Sequence, residues 1–234
     1  MIELRDVTVE VDDLASPERG AKKTLLRSIS VQLGESRIAV IGANGSGKST
    51  LLKLFNGLVM PSCGEVIIDG LSTARELVRV RKHVGYVFTD PLAQLVMSTP
   101  LDDVQLSLRS TIKNRAERRA RARELLEVRG LGTVAEQSIY DLSGGERQLV
   151  SLTTVLAVEP GVVVADEPTT LLDLRNRHTL RRALAALPQQ LVVSTHDLEL
   201  AGEMERVIWI DHGQIVADGE PGAVIAQYSR EMAA

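Results

Sequence analysis

The chain has 234 residues, 44% of them hydrophobic and 25% charged, with a formal net charge of -4, so it can bury the core of one α/β domain, or a core with a smaller insert, and is no bulk nucleic-acid binder. Aromatic residues make up only 3%, which leaves Leu, Val, Ile and Ala to build that core. A single cysteine, Cys63, excludes an internal disulfide and fits a reducing compartment.

The opening MIELRDVTVE has no apolar signal core. No window approaches the roughly 18 uninterrupted apolar residues of a membrane span. A membrane role is therefore expected to pass through a partner. Strands are predicted over residues 2–11 and 28–33, separated by a charged stretch at 12–23 that holds a Pro and a Gly. RIAVI at 37–41 is a short apolar strand that runs into GANGSGKST and a helix through Asn56. Residues 64–69 and 83–88 read as further strands. Thr99 is placed to cap a helix over 101–108, with Asp102 and Asp103 in its first turn, where the helix dipole favours acids. A second helix is expected at 116–128, and the basic run KNRAERRARAR at 113–123 reads as a solvated helix face.

Residues 74–140 are thus mostly helical and read as a subdomain inserted between 1–73 and 141–234. The chain then alternates: helix 146–158, strand 162–165, helix 175–187, strand 191–194. A hairpin of 207–210 and 214–217 turns at Asp211-His212-Gly213, and a helix is expected over 221–232. The unbroken Val/Ala run at 162–165 implies a strand buried on both faces. Such alternation predicts an α/β fold with a mostly parallel sheet and helices on both faces.

Gly42-Ala43-Asn44-Gly45-Ser46-Gly47-Lys48-Ser49, with Thr50 after it, fits G-x-x-x-x-G-K-[ST] between a strand and a helix. Glycines let a backbone curl around phosphate oxygens and aim N–H groups at them, and the positive end of the following helix faces the same anion. Lys48 is expected to reach the β- and γ-phosphates of ATP and the Ser49 hydroxyl to ligate Mg²⁺. Asp166 and Glu167 follow the buried strand at its carboxyl end, where α/β sheets bind ligands. Asp166 is the second expected Mg²⁺ residue. Glu167 is the candidate base for the attacking water, competing at this level with a solvated strand-end acid.

LSGGERQ at 142–148, after the Lys48 motif and before Asp166, makes the chain resemble the ABC ATPase family along essentially its whole length. The resemblance implies an ABC-type P-loop ATPase domain, with a RecA-like core, an N-terminal antiparallel β part and the helical insert. It also implies that Ser143, Gly144 and Gly145 dock on the γ-phosphate held by a second copy, so that two ATP molecules are sandwiched in a dimer. By the same resemblance, Thr170-Leu171-Leu172-Asp173 is the D-loop, with Leu171 where a small residue is usual. His196, in STHD after a strand, is the switch histidine on the γ-phosphate, and Gly213 belongs to a closing scaffold turn.

Two positions depart from the family. Thr89 stands where the Q-loop glutamine is expected, with Gln94 five residues on as either a substitute or a surface contact. Val11 stands near the position of the aromatic that usually stacks on adenine.

FNGL at 55–58 with PSCGEVIIDG, and DPLAQLVM at 90–97 with TPLDDV, resemble the ATPases of energy-coupling factor importers. That likeness implies a transmembrane scaffold subunit, a separate substrate-capture membrane subunit, and a place on the cytoplasmic face of the membrane. The apolar residues Leu92, Leu95, Val96 and Met97 would meet the scaffold helices, or else pack in the helical subdomain. The short C-terminal region favours a dedicated system and a homodimer. Biotin is the expected cargo, with cobalt or nickel as the alternative. Readings from other classes are a non-transport ABC ATPase and a regulatory ATP-binding module.

Overall fold

The computed structural model describes residues 1–13 and 20–233. In chain order the elements are β1 (Ile2–Asp12), β2 (Lys22–Leu33), β3 (Arg37–Ile41), α1 (Lys48–Phe55), β4 (Cys63–Ile68), β5 (Leu71–Ser72), α2 (Leu77–His83) and β6 (Val84–Val87). Then come α3 (Pro100–Ser107), α4 (Arg115–Glu127), α5 (Gly144–Leu156), β7 (Val162–Asp166), α6 (Leu174–Ala185) and β8 (Gln190–Ser194). The chain closes with α7 (Leu198–Gly202), β9 (Arg206–Asp211), β10 (Gln214–Gly219) and α8 (Pro221–Met232). They form two compact units, Met1–Val84 with Gln190–Ala234, and Gly85–Gln189. Among the described residues no helix is long and apolar enough to cross a membrane.

The first unit carries an antiparallel sheet in the order β2-β1-β4-β5 and the strand run β10-β9-β3-β8. Within β1 the buried positions change phase, from Ile2 and Leu4 to Val7 and Val9. A bulge absorbs the change: Asp6 takes φ 49, and its N–H is held by Ser30 Oγ at 2.9 Å. β2 begins at Lys22 rather than at 28, because Asp12 through Val9 pair with Lys22 through Leu26. Of the expected irregular stretch at 12–23, residues 14–19 lie outside the described residues.

β3 is parallel to both β8 and β9, with Val40 opposite Ser194 and Ile208. Ile38 to Ile41 are fully buried, as a strand covered on both faces requires. α8 packs on β9 through Trp209 and Tyr228, edge to face with ring centroids 5.5 Å apart.

In the second unit β7 lies beside β6, and Val162 to Ala165 are fully buried. α3, α4 and α5 gather a core that includes Leu101, Val104, Leu126 and Val150. Thr99 caps α3 by accepting from Asp102 N–H at 3.2 Å. The expected strand at 83–88 is shorter, since His83 ends α2. Leu95 belongs to the helical core at 5% exposure, so for this residue the alternative of packing in the helical subdomain holds rather than a surface for scaffold helices. The short 3-10 turn at Pro91–Ala93 makes one side of the segment face inward. Leu92, Val96 and Met97 stay exposed.

Candidate nucleotide site

The first unit holds the phosphate motif in the bend between β3 and α1. Gly42 has φ 150, and a Cβ there would stand 2.1 Å from the Ile210 carbonyl oxygen. Gly47, at φ 113, caps α1, and a Cβ there would meet the Leu26 side chain at 2.9 Å. These two glycines are demanded by close backbone packing. Gly45, at φ 80, has open space around it, and its demand is for the left-handed conformation alone. The loop is braced from the hairpin of β9 and β10, whose Gly213 N–H donates to the Ser46 carbonyl at 2.8 Å.

Lys48 is 6% exposed, and its ammonium donates to the carbonyls of Gly42 at 2.8 Å and Ala43 at 3.1 Å. The cation is thereby folded over the motif. Ser46 Oγ is buried with no hydrogen-bond partner, the condition of a hydroxyl that awaits an acceptor. Ala43, Asn44 and Gly45 are exposed, and Ser49 and Thr50 are half-buried in the first turn of α1. The Thr195 N–H donates to the Val40 carbonyl at 3.1 Å. Gly42 and His196 therefore leave the carboxyl ends of adjacent parallel strands at the same level. His196 is exposed.

The second unit holds the acidic residues. Asp166 ends β7 at 5% exposure. Its carboxylate accepts from the Tyr86 hydroxyl at 3.1 Å, and its carbonyl accepts from Thr89 Oγ1 at 2.8 Å. Burial, and then the Asp166 charge, push the Tyr86 phenol well above its ordinary range, so it stays a neutral donor. Glu167 has φ 47, a left-handed conformation that costs a non-glycine residue about 1–2 kcal/mol. Thr170 holds that turn, its hydroxyl donating to Glu167 Oε2 at 3.0 Å and its N–H to the Glu167 carbonyl at 3.3 Å. Strain of this kind collects where a side chain must be aimed.

Ser143 is the N-cap of α5, in a capping box with Glu146. Its hydroxyl and N–H donate to Glu146 Oε2 at 2.7 and 2.8 Å, and it accepts from the Glu146 N–H at 3.3 Å. These bonds from Ser143 hold the Glu146 carboxyl below its ordinary range. Ser143 and Gly144 are exposed, and Gly145 is buried against Asn176, where a Cβ would stand 2.3 Å from that side chain. Asn176 lies in the first turn of α6, whose N-cap is Asp173. The N-terminal ends of α5 and α6 are thus set against each other inside one unit.

Gln94 is half-buried and bonded at both ends of its amide, which corrects its reading as a surface contact. Its oxygen accepts from the Phe88 N–H at 3.2 Å, and its amide donates to the Ser151 carbonyl at 2.9 Å and to Thr154 Oγ1 at 3.0 Å. Gln148 donates to the Phe88 carbonyl at 3.3 Å. Both polar groups of the Phe88 backbone are thereby fastened to α5. Sequence reasoning gave no role of their own to Tyr86 and Gln148, and it placed Thr170 in the D-loop without its hold on Glu167. A tyrosine in an apolar strand, which needs a partner for its hydroxyl, was the available signal for the first. For Gln148 it was a polar pair, 148 and 151, on the buried face of a helix.

A family model described as ABC transporter matches residues 26–170. The biotin transport ATP-binding protein BioM of Rhizobium etli is 40% identical over 212 residues, covering 91% of this chain and 94% of the relative. The energy-coupling factor transporter ATP-binding protein EcfA of Methanothermobacter thermautotrophicus is 37% identical, covering 94% and 71%. Among solved structures, the dimeric ATP-binding cassette MJ0796, in a post-hydrolysis state with ADP and Pi, superposes with a TM-score of 0.83. It is 29% identical, with 94% of this chain and 99% of that one covered.

Proposed function

This chain belongs to the ABC transporter family, as an ATP-binding subunit that hydrolyses ATP, and we propose that it powers an energy-coupling factor importer as an ATP-sandwich homodimer. The observation that carries the nucleotide reading is the loop at 42–48. Gly42 admits no side chain, the Ser46 hydroxyl is buried without a partner, and Lys48 is drawn over the same bend. That loop fits the phosphates of ATP. The Ser49 hydroxyl and the Asp166 carboxylate are both hard oxygen donors, the chemistry that Mg²⁺ takes, and in this reading they would hold the ion, which would neutralise charge on the β- and γ-phosphates.

In this reading Gly42, Ala43, Asn44, Gly45, Ser46, Gly47 and Thr50 wrap the phosphates, and Lys48 bridges the β- and γ-groups. Ser143, Gly144 and Gly145 of the second copy meet the γ-phosphate, with Asp173 relaying between the two copies. Glu167 takes a proton from water as the water oxygen bonds to the γ-phosphorus. The bond from that phosphorus to the β–γ bridging oxygen breaks, and ADP leaves. A base so placed contributes about 10²–10⁴-fold. His196 contacts the γ-phosphate. Two nucleotides close the dimer by joining Lys48 of one copy to Ser143 of the other, and hydrolysis removes the join.

The partners proposed are a transmembrane scaffold subunit and a substrate-capture membrane subunit, on the cytoplasmic face of the membrane, with biotin as the cargo. Likeness to BioM and EcfA over most of the chain supports this, and the exposed Leu92, Val96 and Met97 supply an apolar surface for the scaffold. Affinity capture of the chain from solubilised native membranes tests it. One scaffold-type and one small capture-type membrane protein are expected. Recovery of soluble partners alone would sink the importer reading.

A further inference from the structure

The second unit has a groove of about 460 Å³ whose lining includes neither Asp166 nor Glu167, at the C-terminal ends of three helices. Leu152 and Leu156 of α5 form one wall, Ala183 and Ala186 of α6 the other, and Val128 and Arg129 close the end where α4 stops. Val128 is 78% exposed, an apolar side chain left standing at the rim.

Arg129 is the chemical anomaly. Its guanidinium is half-buried and donates to the Leu125 carbonyl at 3.1 Å. Among the described residues no carboxylate pairs with it. Arg121 adds a like charge but is itself matched by Glu124 at 2.8 Å and Glu159 at 3.8 Å. Burial, and then Arg121, lower the Arg129 pKa from its ordinary value. A guanidinium presents five donors, and taking even part of one out of water without a counter-ion carries a cost. An arriving carboxylate would relieve both conditions, and the volume lies within the ~300–1,000 Å³ of small-molecule sites.

We propose that this groove is a binding site for a small amphiphilic carboxylate, its head on Arg129 and its aliphatic body between α5 and α6. The charge sets the head group and the Leu and Ala walls set the body. α5 and α6 carry Ser143 and Asp173 at their opposite, N-terminal ends, so an occupant would bridge the helix pair away from the nucleotide.

Calorimetric titration of the full chain with octanoate, octanol and acetate tests the site. Octanoate is expected to bind saturably, with octanol and acetate each at least about tenfold weaker. Arg129→Met should weaken octanoate about tenfold or more, and Arg129→Lys should restore part of the loss. Ala186→Trp, at an exposed position, should abolish octanoate binding by filling the groove and leave ATP affinity unchanged. Equal octanoate affinity in wild type and Arg129→Met would overturn the proposal. So would the absence of saturable binding below about 10 mM, or binding only of an acidic amphipathic peptide, which would make the groove a protein-docking surface instead.

Discussion

Thr89 Oγ1 donates a 2.8 Å hydrogen bond to the carbonyl of Asp166. The residue that stands in place of a Q-loop glutamine is therefore spent on the backbone that carries the acidic pair. Thr89→Val should lower stability by about 1 kcal/mol, the net value of such a bond, and slow hydrolysis. Thr89→Gln restores the longer side chain and should change the ATPase rate of the assembled transporter by roughly threefold or more. An unchanged rate in the assembled complex would contradict a coupling role for this position.

The glycines of the phosphate loop should separate by cause. Gly42→Ala puts a methyl 2.1 Å from a backbone oxygen and forces the loop off the hairpin. ATP affinity should fall by about 100-fold or more, measured by calorimetry. Gly45→Ala meets no atom and carries only left-handed strain of about 1–2 kcal/mol, so its loss should stay near tenfold.

Gln94→Leu keeps the volume and strands the Phe88 N–H. An unsatisfied buried donor costs about 1–3 kcal/mol, and a chain of this size should lose roughly 2–4 °C in Tm per kcal/mol. A silent substitution in a thermal melt would show that the clip to α5 is not maintained in solution.

Glu146 links stability to pH. Its folded pKa is lowered by Ser143, so its contribution is full above the unfolded carboxylate value and is lost as pH falls through the lowered one. Glu146→Ala should cost about 1 kcal/mol at pH 7, as capping residues do. The deficit should shrink in melts taken below about pH 4. A deficit that is the same at both pH values would contradict the charge-assisted cap.

Much of this was legible in the chain. The strands at 37–41 and 162–165 announce themselves as apolar runs, and the start of α3 through its capping residue Thr99. The Gly42–Lys48 spacing and LSGGERQ need no structure to be recognised. What escaped is held by tertiary partners. Leu95 and Leu92 are alike in sequence, and only the 3-10 turn before Leu95 decides which of them faces the core. Gln94 reads as a spare Q-loop residue until Ser151 and Thr154, 57 and 60 positions later, are brought against it. The early start of β2 escaped because its first residues are exposed polar ones, paired with β1 through the backbone and one exposed Lys22–Glu10 ion pair at 3.9 Å.

The most direct test of the account is the mass of the Glu167→Gln chain by light scattering, with and without ATP. Loss of the proposed base should trap bound nucleotide, and ATP should double the mass from the 25.4 kDa of one chain. Adding Ser143→Arg to the same chain should leave it monomeric with ATP bound. A Glu167→Gln chain that binds ATP and remains a monomer would contradict the sandwich, and with it the reading of Ser143 as a residue that acts on the other copy.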